Sequence, residues 1–443
     1  MKRMKRSWIL LAALAMVIAS CGGDAETTTT TGDTGPAQTT TTAPQDTTPD
    51  EPPANTDPIR IGVSVSLSGF NAAVGEEYLR GLELWADMIN NGTGIYEGRE
   101  GVGLLGRRVE LVFSNDESNS ENALRIYERL MTQDNVDFIF GPFGSGATGT
   151  VAPIIEREQY ALIATSASAN SIYEQGLEYI VQGVAPASKY LGRVPEIIED
   201  QGYTKVALLS LNNPFTLSSV DFLRPEIENR GGEIVSEHLF EITEVEFTAI
   251  LTEVKSLEPD VIIIQAFGNQ AVTIYNQMAD LDVSAPMLVM SAGAWRDDVF
   301  LAGVGAERAE CLLADHHWAP TDDTPGNAEF AKGYSDKYGS VATVGSDPSP
   351  AMGFSAGQLL TYAVDSVGEA GLSDQKLLID YLRNTPDLQT VLGLQSADPA
   401  TGGNTSITPR LIQFQGGVRV VVAPPEGELS LPCAPLGDRP SGG

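Results

Sequence analysis

VDFIFGPFGSGATGTVAPIIEREQYALIATSAS, residues 136–168, is the stretch whose reading decides the fold. The apolar run at 136–140 stops at Gly141-Pro142, so a buried strand ends there and the chain turns over its carboxyl end. Ser145 stands just before a helical stretch, where its hydroxyl is placed to cap the free N–H groups of the first turn. A second apolar run, 160–164, ends in the small residues Thr165, Ser166, Ala167 and Ser168. In open α/β sheets ligands bind outside such strand ends, and helix N-termini there favour anions such as carboxylates. An ordinary cap and turn explains these residues equally well, so the decision passes to the rest of the chain.

Upstream, residues 60–67 form a strand that stops at Ser68-Gly69-Phe70-Asn71. A helix over 76–90 follows, with Leu79, Leu82, Trp85, Met88 and Ile89 inward at spacings of three and four. Residues 107–113 give the next strand, ending near Asp116, and 121–131 the next helix. Downstream, helix (188–199) and strand (205–211) lead into Asn212-Asn213-Pro214-Phe215, and the alternation continues. Helices are expected over 218–229, 247–256 and 270–281, and strands over 233–240, 261–266 and 287–290, the last two ending near Phe267 and Trp295. Strands alternating with helices at this interval imply parallel sheets with right-handed crossovers. Helices at 327–338 and 351–368 arrive without new parallel strands between them, and are expected to return to the first sheet.

The amino terminus reads differently. Lys2, Arg3, Lys5 and Arg6 precede an apolar run, 8–19, that is too short to span a bilayer and has the form of an export signal. Residues 26–58 are dominated by Thr, Pro, Asp and Gly, with no aromatic residue, as a solvated tether should be. The formal charge of −32 at pH 7 would grow more negative on loss of those four cations. Such a surface repels nucleic acid and anionic lipid, so neither is an expected partner. The folded part is long enough for two domains.

Ile18-Ala19-Ser20-Cys21 resembles the lipobox of bacterial lipoproteins, which implies acylation of Cys21 and an anchor on the extracytoplasmic face of a membrane. Cys311 and Cys433 remain, an even pair in an exported chain; a disulfide tying the tail to the body and two separate thiols are both open.

IGVSVSLSGFNAAVGEEYLRGLELWADMIN, GRRVELVFSNDES, VDFIFGPFGSGATGTVAPI and PDVIIIQAFGNQA, in that order and spacing, resemble the solute-binding proteins of branched-chain amino acid ABC transporters. The late LIQFQGGVRVVV matches that family's ending. The resemblance implies the type I periplasmic binding fold: two Rossmann-like α/β lobes with parallel sheets, joined by three hinge crossovers that close on a small ligand. On this reading the signal is 1–20, the tether 21–58, the N-terminal lobe 59–185 plus 320–393, the C-terminal lobe 186–319 plus 394–424, and the tail 425–443. The crossings fall near 183–188, 318–321 and 393–403.

Carried over residue by residue, the resemblance puts the carboxylate-binding serine on Ser145 and further contacts on Ser166, Ala167 and Ser168. It puts the facing aromatics on Phe215 and Phe267, where the family commonly has tyrosine. Phe70, Phe143 and Trp295 join as loop aromatics at strand ends, and Asp116 as a structural or ligand-facing acid. The acid that pairs with a ligand's ammonium should lie near residues 291–293, and none is there. The expected function is therefore an importer's solute-binding lipoprotein for the branched-chain or hydrophobic amino acid class. The alternatives are aromatic or aliphatic acids or amides, or a ligand-sensing receptor of the same fold. Expected partners are the solute, an ABC permease and its ATPase subunits, and the membrane through the lipid; the chain should be a monomer.

Catalysis finds little support. His316 and His317 are neighbours on an expected strand and face opposite ways, which disfavours one metal bound by both, and they are expected at a hinge or the surface. No P-loop or dinucleotide motif occurs, so no cofactor or metal is expected.

Overall fold

The structure is a computed structural model that describes residues 56–339, 347–431 and 433. The leader, Cys21 and the tether up to residue 55 lie outside the described residues.

Five strands, β1 (Ile59–Val65), β2 (Val109–Asn115), β3 (Phe138–Phe140), β4 (Leu162–Ala164) and β5 (Ile180–Gln182), form a sheet in the order β2-β1-β3-β4-β5, every pair parallel. A parallel sheet is covered on both faces, and alternate side chains show it here. Val63, Phe140, Ile163 and Val181 join a core with α1 (Ala72–Asn91), whereas Ile139, Leu162 and Ala164 join one with α2 (Ser120–Thr132) and α3 (Ser145–Glu158). The first helix begins four residues before the periodicity alone suggests, because Ala72, Ala73 and Val74 continue the turn from Asn71. A short α4 (Asn170–Tyr173) precedes β5.

The second sheet has seven strands in the order β14-β13-β10-β9-β8-β6-β7. After α5 (Val194–Asp200), the strands β6 (Lys205–Leu211), β7 (Glu233–Phe240), β8 (Val261–Gln265), β9 (Met287–Ser291) and β10 (Leu313–His316) are parallel. Between them run α6 (Pro214–Asn229), α7 (Thr248–Leu257), α8 (Gly268–Asp280), α9 (Ala302–Val304) and α10 (Ala306–Ala309). The helix read over 188–199 is instead a 3-10 turn, Ala187–Lys189, followed by α5, whose start is set by Pro195 in its first turn.

The chain then leaves this sheet. Trp318, with Phe330 and Tyr334 of α11 (Asn327–Tyr338) and Phe354 of α12 (Ser349–Val367), enters the core of the first sheet beside Trp85. The short α13 (Ala370–Ser373), α14 (Lys376–Asn384) and the hairpin β11 (Leu388–Thr390) and β12 (Gly393–Gln395) follow. Residues 394–404, expected with the second lobe, stay with the first: Gln395 Nε2 donates to the Gly183 carbonyl at 3.0 Å and the Asn404 N–H to Gln182 Oε1 at 2.8 Å. The third passage therefore runs from Asn404 to Arg410, later than the expected 393–403, because these buried amides find their partners along β5. The chain ends as the antiparallel pair β13 (Arg410–Gln415) and β14 (Val418–Ala423), which extends the second sheet beyond β10. Cys311 and Cys433 are joined by a disulfide, which holds Leu429 and Leu431 over the core beneath α5 and α6. No helix among the described residues is long and apolar enough to cross a membrane.

Candidate functional site

The two sheet orders locate the site. In the first, the chain steps outward from β1 to β2 and then turns back to β3 on the other side; in the second it does the same from β6 to β7 and back to β8. At such switch points the loops leaving adjacent strand ends diverge and open a crevice. The loops after β1 and β3 face those after β6 and β8 across one cavity of about 190 Å³. Phe70 and Phe267, one from each side, meet edge to face with centroids 6.2 Å apart.

Ser145 is not the cap expected from the sequence. Gly144 holds that position at φ 88°, a left-handed backbone that side chains disfavour, and Ser145 is the first helical residue. Its hydroxyl is buried and accepts from the Ser168 and Ala169 N–H groups at 3.1 and 3.0 Å, which leaves its own proton free for donation. Ser166 Oγ donates to the Pro142 carbonyl at 3.0 Å, and Ser168 Oγ pairs with the Tyr190 hydroxyl at 2.5 Å. Gly144, Ser145, Gly146 and Ala147 line the cavity. Their position puts the first N–H groups of α3, which no intrahelical carbonyl can satisfy, at its wall. Beneath this turn the Tyr78 hydroxyl donates to the Gly141 carbonyl at 3.1 Å, and burial pushes that phenol up to about 12.

Asp116 also lines the cavity, but its carboxylate is occupied. It accepts from Ser64 Oγ at 2.5 Å, Ser66 Oγ at 2.6 Å and the Ser118 N–H at 2.9 Å, which ties the loops after β1 and β2 together. The opposite wall is aromatic. Tyr190, Phe215 and Trp295 pack in one cluster with Ala185 and Ala292, and Phe267 abuts it. Tyr190 and Phe215 centroids are 4.8 Å apart and those of Phe215 and Phe267 5.7 Å. Burial holds the Tyr190 phenol well above its usual range, with the Ser168 hydrogen bond pulling the other way.

Of the residues singled out in the sequence, Phe70, Asp116, Phe143, Ser145, Ser166, Ser168, Phe215, Phe267 and Trp295 are brought to one cavity. Ala167 is not: it is fully buried in the core between α3 and β4, because side chains alternate along the turn and Ser166 and Ser168 take the open side. Tyr190 was missed, since nothing in ASKYLGR separates it from the helix expected there. His317, expected at a hinge or the surface, stands between β10 and Trp318 where the chain leaves the second sheet, and its side chain is buried rather than at the surface. It lies behind the aromatic wall, with its ring 4.0 Å from that of Tyr190 and Nε2 2.7 Å from Asp315. Asp315 also accepts from the Ala292 N–H and from Trp295 Nε1, both at 2.8 Å. This acid comes from β10, so a search confined to residues 291–293 could not find it.

The family model for periplasmic binding proteins matches residues 58–411. The chain belongs to that family. This periplasmic binding protein is similar to Leu/Ile/Val-binding protein homolog 8 of Brucella abortus (strain 2308), 22% identical over 384 residues, or 84% of this chain and 92% of the relative. It is similar in structure to the substrate-binding protein LivJ of Streptococcus pneumoniae in complex with isoleucine, at a TM-score of 0.70 and 24% identity, covering 83% of this chain and all of that one. It is also similar to an R. palustris solute-binding protein in complex with benzoate, at a TM-score of 0.69 and 20% identity over 85% of this chain and 99% of the other. At these identities the structural likeness establishes a shared fold of two parallel-sheet lobes.

Proposed function

We propose that this periplasmic binding protein is the solute-binding component of an ABC importer, acylated at Cys21. It carries a small organic solute with a carboxylate or amide head to a permease and its ATPase subunits on the extracytoplasmic face. Ser145, Ser168 and the first turn of α3 hold the head, with Ser166 bracing that turn through the Pro142 carbonyl and the Gly144 N–H, while Phe70, Phe143, Phe215, Phe267 and Trp295 enclose the body. The lobes close on the solute through contacts available only in the closed form, so the role is binding without bond chemistry.

The observation that carries this reading is the convergence of serine hydroxyls and a helix N-terminus on one wall of a cavity whose other wall is aromatic. Charge-assisted hydrogen bonds from such donors are what a desolvated carboxylate requires. The names of similar proteins agree in chemical class, since LivJ is in complex with isoleucine and R. palustris proteins are in complex with benzoate and 4-hydroxybenzoate.

A thermal-shift panel of leucine, phenylalanine, benzoate, 4-hydroxybenzoate and short amides tests it. At least one compound with a carboxylate or amide head should raise the melting temperature. A Ser145→Ala, Ser168→Ala double variant that keeps the wild-type shift would sink the assignment.

A further inference from the structure

We infer that the cleft selects a monocarboxylate with an uncharged apolar or aromatic body and discriminates against an α-ammonium group. This rests on the carboxylate-binding reading above and narrows it.

Six rings line the cavity, those of Phe70, Phe143, Tyr190, Phe215, Phe267 and Trp295, and among the described lining residues there is no Lys, Arg or His and one carboxylate. That carboxylate, Asp116, is 1% exposed and already receives three donors. The second acid close to the site, Asp315, is also 1% exposed and also receives three: the Ala292 N–H, Trp295 Nε1 and His317 Nε2. A carboxylate offers about four lone-pair sites. Both acids are therefore engaged within the protein, Asp116 in joining two first-lobe loops and Asp315 in fixing the ring of Trp295 and the imidazole that stacks on Tyr190. With three of about four acceptor sites filled on each acid, a primary ammonium entering beside these rings would exchange its shell of water for at most one remaining site on Asp116, where an acid dedicated to it would offer more. An unpaired buried charge is disfavoured far more strongly than a methylene in the same place. The body of the solute must then be neutral, and Asp315 and His317 determine specificity indirectly, by holding the aromatic wall where a cation-binding acid would otherwise stand.

Isothermal titration of the full chain with matched pairs decides the matter: 3-phenylpropanoate against phenylalanine, and 4-methylpentanoate against leucine. The deaminated member of at least one pair should bind at least about tenfold more tightly than its amino acid. Equal or tighter binding of both amino acids overturns the inference while leaving the carboxylate reading intact. Glycine betaine provides a third arm. If it binds more tightly than every deaminated acid, the rings serve as a cage for a quaternary ammonium and the inference is overturned. If no carboxylate in any arm binds, the carboxylate reading falls and this inference falls with it.

Discussion

Single residues here carry roles that their types alone do not announce. His316, at the end of β10, is 6% exposed and its Nδ1 has no hydrogen-bond partner among the described residues. Burial, and then the neighbouring Arg410 guanidinium, push the imidazole down to about 3, with His317 and Arg419 acting the same way and Asp322 opposing. The folded state therefore resists a proton that the unfolded chain accepts near pH 6.5. A histidine depressed on folding contributes stability that is fully present above that unfolded value and is lost as pH falls from about 6.5 toward 3. Chemical denaturation of wild type and His316→Gln between pH 7 and pH 5 should show a gap that changes by up to about 1 kcal/mol per pH unit, the wild type falling faster. Parallel curves would contradict the burial argument. The same scale explains why the nine cavity residues were legible in the sequence: each stands in the loop after an apolar strand or, like Ser145 and Phe215, in the first turn of the helix that the loop leads into, and strand ends are where such sheets bind. Tyr190 follows no such strand, and His317 follows one whose last two residues, Asp315 and His316, are polar.

Among the elements, the contact between α1 and α12 depends on small residues at fixed positions. A Cβ on Gly353 would stand 2.1 Å from the Tyr78 carbonyl oxygen, and one on Gly357 would stand 2.0 Å from Cδ2 of Trp85. The first obstacle is backbone, so no rotamer change relieves it, and the two helices would have to separate. Gly353→Ala should therefore cost about 1–3 kcal/mol or more despite alanine's better helix propensity, as read by urea denaturation. An unchanged midpoint would refute the close approach. The tail makes a second case. The Cys311–Cys433 bond closes a loop across a separation of 122 residues, and on the chain-entropy account a closure of that length stabilises by about 4–5 kcal/mol. Cys433→Ser should lower the melting temperature and free Leu429 and Leu431 to faster amide exchange. An unaltered exchange pattern would mean that the tail is held by its packing alone.

For the whole molecule, one ion-pair cluster spans the cleft beside the site. Arg296 follows the cavity residue Trp295 and reaches the first lobe, where its Nη1 lies 3.1 Å from Asp347 and 3.6 Å from Glu77. Both acids are buried, and burial holds the Asp347 carboxyl above its usual range with Arg296 opposing. Arg296 belongs to the second lobe and both acids to the first, so on the proposed closing motion a parting of the lobes should break this cluster, and Arg296 is expected to favour closure whether or not solute is bound. Because apparent affinity scales with the fraction already competent to bind, Arg296→Ala should weaken solute binding about tenfold or more and increase the radius of gyration in small-angle scattering. Arg296→Lys should recover part of the loss. If Arg296→Ala leaves scattering and affinity as in the wild type, the cluster plays no part in closure.

What the sequence determined by itself is the alternation of strand and helix, the two-lobed fold it resembles and the serine wall, because each rests on local signals: period, turn residues and the ends of apolar runs. Tertiary structure alone decided the opposite wall and the lobes' third passage. Asp315 and His317 come from the end of β10 and the residue just past it, Tyr190 from the turn before α5 and Trp295 from the loop after β9, and residues 394–404 follow the hydrogen bonds offered by Gln182 and Gly183. Contacts between distant segments leave no periodic trace in the chain, and here they fix what lines the far wall of the cavity while the local signals fix where the cavity opens.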